Sequence, residues 1–315
     1  MTSSQKIIEY LKNRLGDNLK LLFTPYKRDM WDSLEGVYKE AIKAGWKADV
    51  MPLPYTYRDK DGNFTEWIRD DWRDIKNLRY DMPEKDEYDA ILFHNPYDQC
   101  NKVTSVKPEY YSDNFIGLGL LCLVPYGIGI RGIIRPGVLS ADVCFIEFEE
   151  TVESIIEDGI RAGMNENQIK FLRDKFVVVG SPKMDLDLDQ TIPKEWESKI
   201  KGKRVVLVGT SLVPLLSDPM GELKKYDKLL NELTSKDQIV IWREHPLTLG
   251  AIRAMIPDYE YFYSVIKRDF IAKDNAIMDE TNDYRKAFSV ADVLYSVPSS
   301  LISVWSVTGR ELYII

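Results

Sequence analysis

Short apolar runs alternate with segments of helical period, in two series separated by a polar stretch, and this constrains the 315-residue chain more than any other feature. An apolar run of four to six residues reads as a strand buried on both faces, and a segment apolar at every third or fourth position reads as an amphipathic helix. Residues 19–23 supply the first strand; Trp31, Leu34, Tyr38, Ala41 and Ile42 then share one helical face, and 48–53 give the next strand. Strand, helix and strand in that order make a parallel βαβ unit. Further strands are expected at 89–93, 120–124, 143–148 and 175–179, with a helix from Glu149 that carries acids in its first turn. Residues 55–89 are aromatic and acidic without a period, which predicts an inserted excursion. Residues 185–203 lose the apolar pattern and read as a linker.

The alternation then restarts. Strands are expected at 204–208, 238–242, 292–295 and 312–315, and helices at 221–233, 248–255, 259–266, 283–288 and 299–307. The prediction is an α/β protein of two Rossmann-like domains facing each other, residues 1–190 and 191–315. Because the chain stops on an apolar run without a closing helix, a short or truncated C-terminal half is expected.

Composition narrows the classes. Hydrophobic residues at 44% and charged ones at 29% suffice for two buried cores and exclude wholesale disorder. A net charge of −8 with no concentrated basic patch argues against nucleic acid as a partner. Cys100, Cys122 and Cys144 are too widely spaced for a zinc knuckle and too few for a closed disulfide set, so reduced thiols and no metal are expected. The first 22 residues lack a signal-like apolar stretch, and no window of about 18 apolar residues occurs. A cytoplasmic protein follows, with peripheral association at the inner membrane face left open.

In doubly wound folds ligands bind beyond the carboxyl ends of the strands, so the chemistry is sought there. The chain has two histidines, His94 and His245, and each directly follows a predicted strand. A histidine so placed reads either as a proton-transfer group or as a turn cap. Arg243, two residues before His245, shares its side of an extended segment and suits a phosphate, or alternatively an ion pair with a nearby acid. Ser299 and Ser300 open a helix after Pro298, which predicts either an anion seat or simple capping. Thr210 and Ser211 follow the first strand of the second half, while Ser181 and Lys183 close the first. GxGxxG occurs once, at residues 127–132, a weak signal by itself, and GxxxxGK[ST], HExxH and GxSxG are absent, so no cofactor is expected.

Taken in order, HNPYDQCNKVTSV, GSPKMD, GTS, WREHPL, DET and ADVLYSVPSSL before TGR resemble the CDP-glycerol glycerophosphotransferase family of teichoic-acid enzymes, from about residue 21 to 315. The resemblance implies a type-B glycosyltransferase architecture that binds a CDP-activated alcohol. An acceptor hydroxyl on a glycan or lipid-linked partner would attack the β-phosphorus, and CMP would leave. It further implies His94 as base, His245 on the pyrophosphate, and Ser299 and Ser300 on phosphate oxygens. Arg243, Thr210, Ser211, Glu280 and Thr281 would line the donor side, and Asn95, Ser181 and Lys183 the cleft. Two positions depart from the pattern: Val297 stands where relatives carry an aspartate, and Glu244 where a proline is commoner. A nucleotide-sugar glycosyltransferase of the same architecture and a catalytically lapsed nucleotide-binding module are the alternatives.

Overall fold

The computed structural model describes residues 1–128, 134–188 and 190–315. The chain forms two compact units. The first comprises 1–56 and 66–185, the second 57–65 and 186–315.

In the first unit, helix α1 (Ser3–Leu15) is followed by β1 (Lys20–Thr24), α2 (Asp32–Lys43), β2 (Lys47–Val50), β3 (Tyr55–Tyr57), β4 (Ala90–Phe93), β5 (Thr104–Val106), β6 (Leu120–Leu123), α3 (Pro136–Ser140), β7 (Val143–Ile146), α4 (Glu149–Arg161), α5 (Glu166–Arg173) and β8 (Phe176–Val178). Six strands make one parallel sheet in the order β2-β1-β4-β6-β7-β8, and β3 pairs with β5 apart from it. The apolar runs are the sheet's central strands: β4 and β7 are buried throughout, as two-sided covering requires. Helix α1 was not expected; Ile7 and Leu11 on it join the core, with Ile8 and Tyr10 packed against that core. Its start is fixed by a capping box between Thr2 and Gln5, and by Asp185, whose carboxylate accepts from the Ser3 and Ser4 amides at 2.8 and 2.7 Å. The predicted excursion holds no long element, yet part of it is core: Trp72 is buried edge-on to Trp31 at 5.5 Å, with the Arg28 guanidinium over its ring.

In the second unit the elements are α6 (Lys194–Ile200), β9 (Val205–Gly209), α7 (Leu212–Ser217), α8 (Pro219–Thr234), β10 (Ile239–Arg243), α9 (Thr248–Met255), α10 (Glu260–Ile271), β11 (Ala276–Met278), α11 (Tyr284–Val290), β12 (Val293–Ser296), α12 (Ser300–Ser306) and β13 (Glu311–Ile314). The sheet is parallel in the order β11-β10-β9-β12-β13. The predicted linker at 185–203 is not wholly irregular. It contains α6, a polar helix whose one anchor is the buried Trp196, and a single aromatic is too little to show as a period. Helix α8 starts where Asp218 caps the Gly221 amide and Pro219 occupies the first turn, where its missing N–H goes unneeded.

Both sheets contain a point where the order of strand addition reverses. In the first unit it lies between β1 and β4, in the second between β9 and β12. At such a point the connections leave on opposite faces and a crevice opens at the carboxyl ends.

Candidate active site

The crevice of the second unit is built from small residues. The register pairs Gly209 with Arg243 on one side and with Ser296 on the other. The segments that follow, Thr210-Ser211, Glu244-His245 and Val297 to Ser300, therefore begin side by side. Glycine suits 209 by proximity: a Cβ there would lie 3.1 Å from Leu301 Cδ1 and 3.2 Å from Ser296 Oγ, and both would have to give by a few tenths of an ångström. Its absence lets the first turn of α12 close over the end of β9.

Ser299 occupies the N-cap position of α12 in extended conformation, yet its side chain makes no capping bond. Its hydroxyl contacts Ser296 Oγ at 3.3 Å, and Ser296 Oγ in turn donates to the Val297 carbonyl at 2.8 Å, so Ser299 is the donor at the first contact. The capping alternative is thus not realised for Ser299. Ser300, half-buried, begins the helix. Ser211 stands equally uncapped before α7. His245 is half-buried, and its Nδ1 accepts the Leu247 amide at 3.1 Å, so the neutral ring carries its proton on Nε2. Thr210 is turned inward: its amide donates to the Arg243 carbonyl at 3.1 Å, and its hydroxyl accepts from the Trp242 indole at 3.3 Å.

Arg243 does not join this group as expected. Its side chain turns to the β11 side, where Nη1 donates to Asp279 Oδ2 at 2.6 Å and to the Thr281 carbonyl at 3.1 Å. The pair is buried, with Asp279 at 0% exposure, and each charge satisfies the other. The DET segment explains why. Asp279 Oδ1 also accepts from the Thr281 amide and hydroxyl, at 3.0 and 2.6 Å, so Thr281 is spent on shaping the turn. Glu280 points outward and pairs with Lys267 at 3.0 Å, where a carboxylate would repel a phosphate. Lys267 also holds Glu244 at 3.2 Å, whose acidity burial weakens. Arg243, Glu280 and Thr281 are therefore corrected from ligand-binding residues to members of a buried strut and its surface flank.

The corresponding crevice of the first unit is filled. His94 follows β4 and is fully buried. Its Nε2 accepts the Tyr26 amide at 3.1 Å, which puts the proton on Nδ1, 3.1 Å from the Met30 carbonyl and 3.0 Å from Ser33 Oγ. Tyr26 and Tyr126 stand edge-on around the ring at 5.6 and 5.8 Å. Burial lowers the pKa to about 3, so the imidazole is neutral with both nitrogens engaged. A ring so committed offers no lone pair to an acceptor hydroxyl, and the expectation of His94 as base is corrected on that ground. Its neighbours are likewise absorbed. Asn95 accepts the Tyr97 amide in a side-chain turn, and Lys183 pairs with Asp32 at 2.8 Å at the start of α2. Ser181 is buried.

Sequence reading missed Ser296 and the close packing at Gly209; a glycine ending an otherwise aliphatic run was the available signal. Among the described residues no group of three or more His, Cys, Asp or Glu is placed to hold a metal ion, and no helix is long and apolar enough to cross a membrane.

The sequence matches no protein-family model and no curated protein. Solved structures do match it. S. aureus MnaA in complex with UDP superposes with a TM-score of 0.55 at 11% identity, over 94% of this chain and 79% of that one. A UDP-GlcNAc 2-epimerase from Neisseria meningitidis bound to UDP-GlcNAc gives 0.54 at 13% identity, over 94% and 82%. The wall teichoic acid polymerase TagF gives 0.51 at 12% identity, over 99% and 74%. At these identities the likeness is one of fold: two Rossmann-like α/β units of the type-B glycosyltransferase class.

Proposed function

We propose that this chain is a transferase that moves a phospho-alcohol, glycerol phosphate in the first instance, from a CDP-activated donor to a hydroxyl of a glycan or lipid-linked acceptor, with release of CMP. The second unit would bind the donor and the first would serve the acceptor. The observation that carries the reading is the side-by-side start of the Ser211, His245 and Ser299 segments at the strand-order reversal of the second unit, drawn together at Gly209.

The chemistry suits that crevice. Transfer at a diphosphate demands positioning and charge stabilisation more than covalent catalysis. Small hydroxyl side chains and an imidazole Nε2–H are donors that can approach phosphate oxygens closely, and Gly209 lets the turn that carries Ser299 and Ser300 sit close to the strand end. The role left to His245 is therefore that of a hydrogen-bond donor to the diphosphate. No general base is assigned, since His94 is committed within its own unit. A lipid-linked acceptor would be met by peripheral association of a cytoplasmic protein at the inner membrane face. The ordered motifs and the fold shared with TagF support the CDP-alcohol donor.

A second reading, a nucleotide-sugar enzyme, is favoured by the UDP and UDP-GlcNAc bound to two structures of the same fold. Calorimetry with CDP-glycerol, CDP and UDP-GlcNAc, followed by product analysis, separates the two. CMP release supports the first; a free nucleoside diphosphate or an epimerised sugar supports the second. Failure to bind any of the three sinks both readings and leaves a lapsed module. His245→Ala is expected to weaken the preferred nucleotide about tenfold, the loss of one charge-assisted hydrogen bond.

A further inference from the structure

At the amino edge of the first unit's sheet, opposite the edge that carries His94, lies a cavity of about 400 Å³ whose described lining contains a lysine and no acid. Lys175, immediately before β8, is 7% exposed. Its ammonium donates to the Leu139 carbonyl at 2.5 Å and lies 4.8 Å from the centre of the Phe171 ring. Neither neighbour is an anion. Burial lowers the lysine's pKa, with Asp142 and Cys144 acting weakly against that shift. Asp142 itself is occupied by the Leu121 amide at 2.8 Å. A buried ammonium without a carboxylate in contact is costly, and an anion entering the cavity would offset that cost.

Of the other polar lining residues, Asn165, Asn167 and Gln168, the first and last are matched to the same charge. Asn165 and Gln168 form the capping box of α5, and the bonds that make it use their side-chain oxygens: Asn165 Oδ1 accepts the Gln168 amide at 3.0 Å, and Gln168 Oε1 accepts the Asn165 amide at 2.9 Å. Capping therefore consumes both acceptors and leaves two NH₂ groups, which only donate. Beside them Phe171 and Leu139, exposed at 65% and 51%, give an apolar wall with Met164.

We propose that this cavity binds a small amphiphilic oxyanion, its carboxylate or phosphate head on Lys175 and the two amides and its apolar stem on Phe171 and Leu139. The site is independent of the nucleotide crevice.

The test uses octanoate, octyl phosphate and octanol as probes, titrated into the full chain while the methyl resonance of Met164 is followed by NMR. At least one of the two anions shifts that resonance in a saturable way, and octanol binds at least tenfold more weakly; the better anion tells whether the head is a carboxylate or a phosphate. Lys175→Met is expected to lose tenfold or more, in line with one charge-assisted bond. Phe171→Ser, at an exposed position that leaves the fold intact, is expected to weaken the anion severalfold and serves if Lys175→Met does not fold. The proposal is overturned by an octanol affinity equal to that of the anions, by undiminished binding in either folded variant, or by no response at millimolar probe.

Discussion

The two strand-order reversals of this molecule share a topology and differ in what stands at the strand ends. The first strand of the first unit ends on Thr24, and the space beyond it is taken by Tyr26, His94 and Tyr126, packed edge to face and hydrogen-bonded to backbone. The first strand of the second unit ends on Gly209, and beyond it stand serines whose hydroxyls are not spent on capping. Topology alone thus supplies a crevice twice, while side-chain volume decides which one stays open for a ligand. The same contrast separates the two histidines. One is an internal brace held neutral by burial, and the other stands half-buried with its proton on the nitrogen not used by the turn.

The sharpest way to break this contrast is through the strut beneath the open crevice. Arg243→Met would leave the Asp279 carboxylate, fully buried, without its partner, and such losses cost about 3–5 kcal/mol. Urea unfolding should show this as a large drop, partly recovered by adding Asp279→Asn. Unchanged stability with lost nucleotide binding would return Arg243 to the ligand site. Next in size is Gly209→Val. Its Cβ alone would crowd Leu301 and Ser296, so overpacking of about 1–3 kcal/mol is expected together with loss of nucleotide binding. Retained affinity would show that the crevice does not need this close approach.

For the filled crevice the expected effect is smaller and depends on pH. An unfolded histidine titrates near 6.5 and the folded His94 near 3, so between those values the unfolded chain binds the additional proton. The contribution of His94 is complete above about pH 6.5 and is lost as pH falls towards 3, with a slope of up to about 1.4 kcal/mol per pH unit. His94→Asn starts from lower stability. Between pH 7 and 5.5, however, wild type should lose about 1 kcal/mol more than the variant does. Parallel losses in urea unfolding at the two pH values would show that His94 titrates normally in the fold.

Much of the architecture was legible because buried parallel strands must be apolar on both faces. The runs ending at Phe93, Gly209 and Trp242 could hardly be anything else. A polar helix such as α6, anchored by one buried aromatic, carries too few buried positions to show a period. The site was half legible for a related reason. Position at a strand's end can be read from pattern, but the direction of a side chain there depends on partners distant in sequence. Arg243 is claimed by Asp279, 36 positions on, and His94 by Tyr26, 68 positions back. The local window suggests a phosphate ligand at Arg243 and a base at His94 because those partners lie outside it.

The smallest expected effect is the most discriminating between a seat for a ligand and a piece of scaffold. Ser299 makes no capping bond, and among the described residues its one side-chain hydrogen bond is to Ser296 at 3.3 Å, long for two hydroxyls. A serine that capped α12 would cost about 1 kcal/mol on replacement by alanine, whereas one that waits for a ligand should cost only about 0.3 kcal/mol or less. Ser299→Ala should therefore unfold in urea almost as wild type does while binding CDP-glycerol several times more weakly. The reverse outcome, a stability loss with affinity intact, would make the serine pair a helix start like any other and leave the second crevice no better suited to a diphosphate than the first.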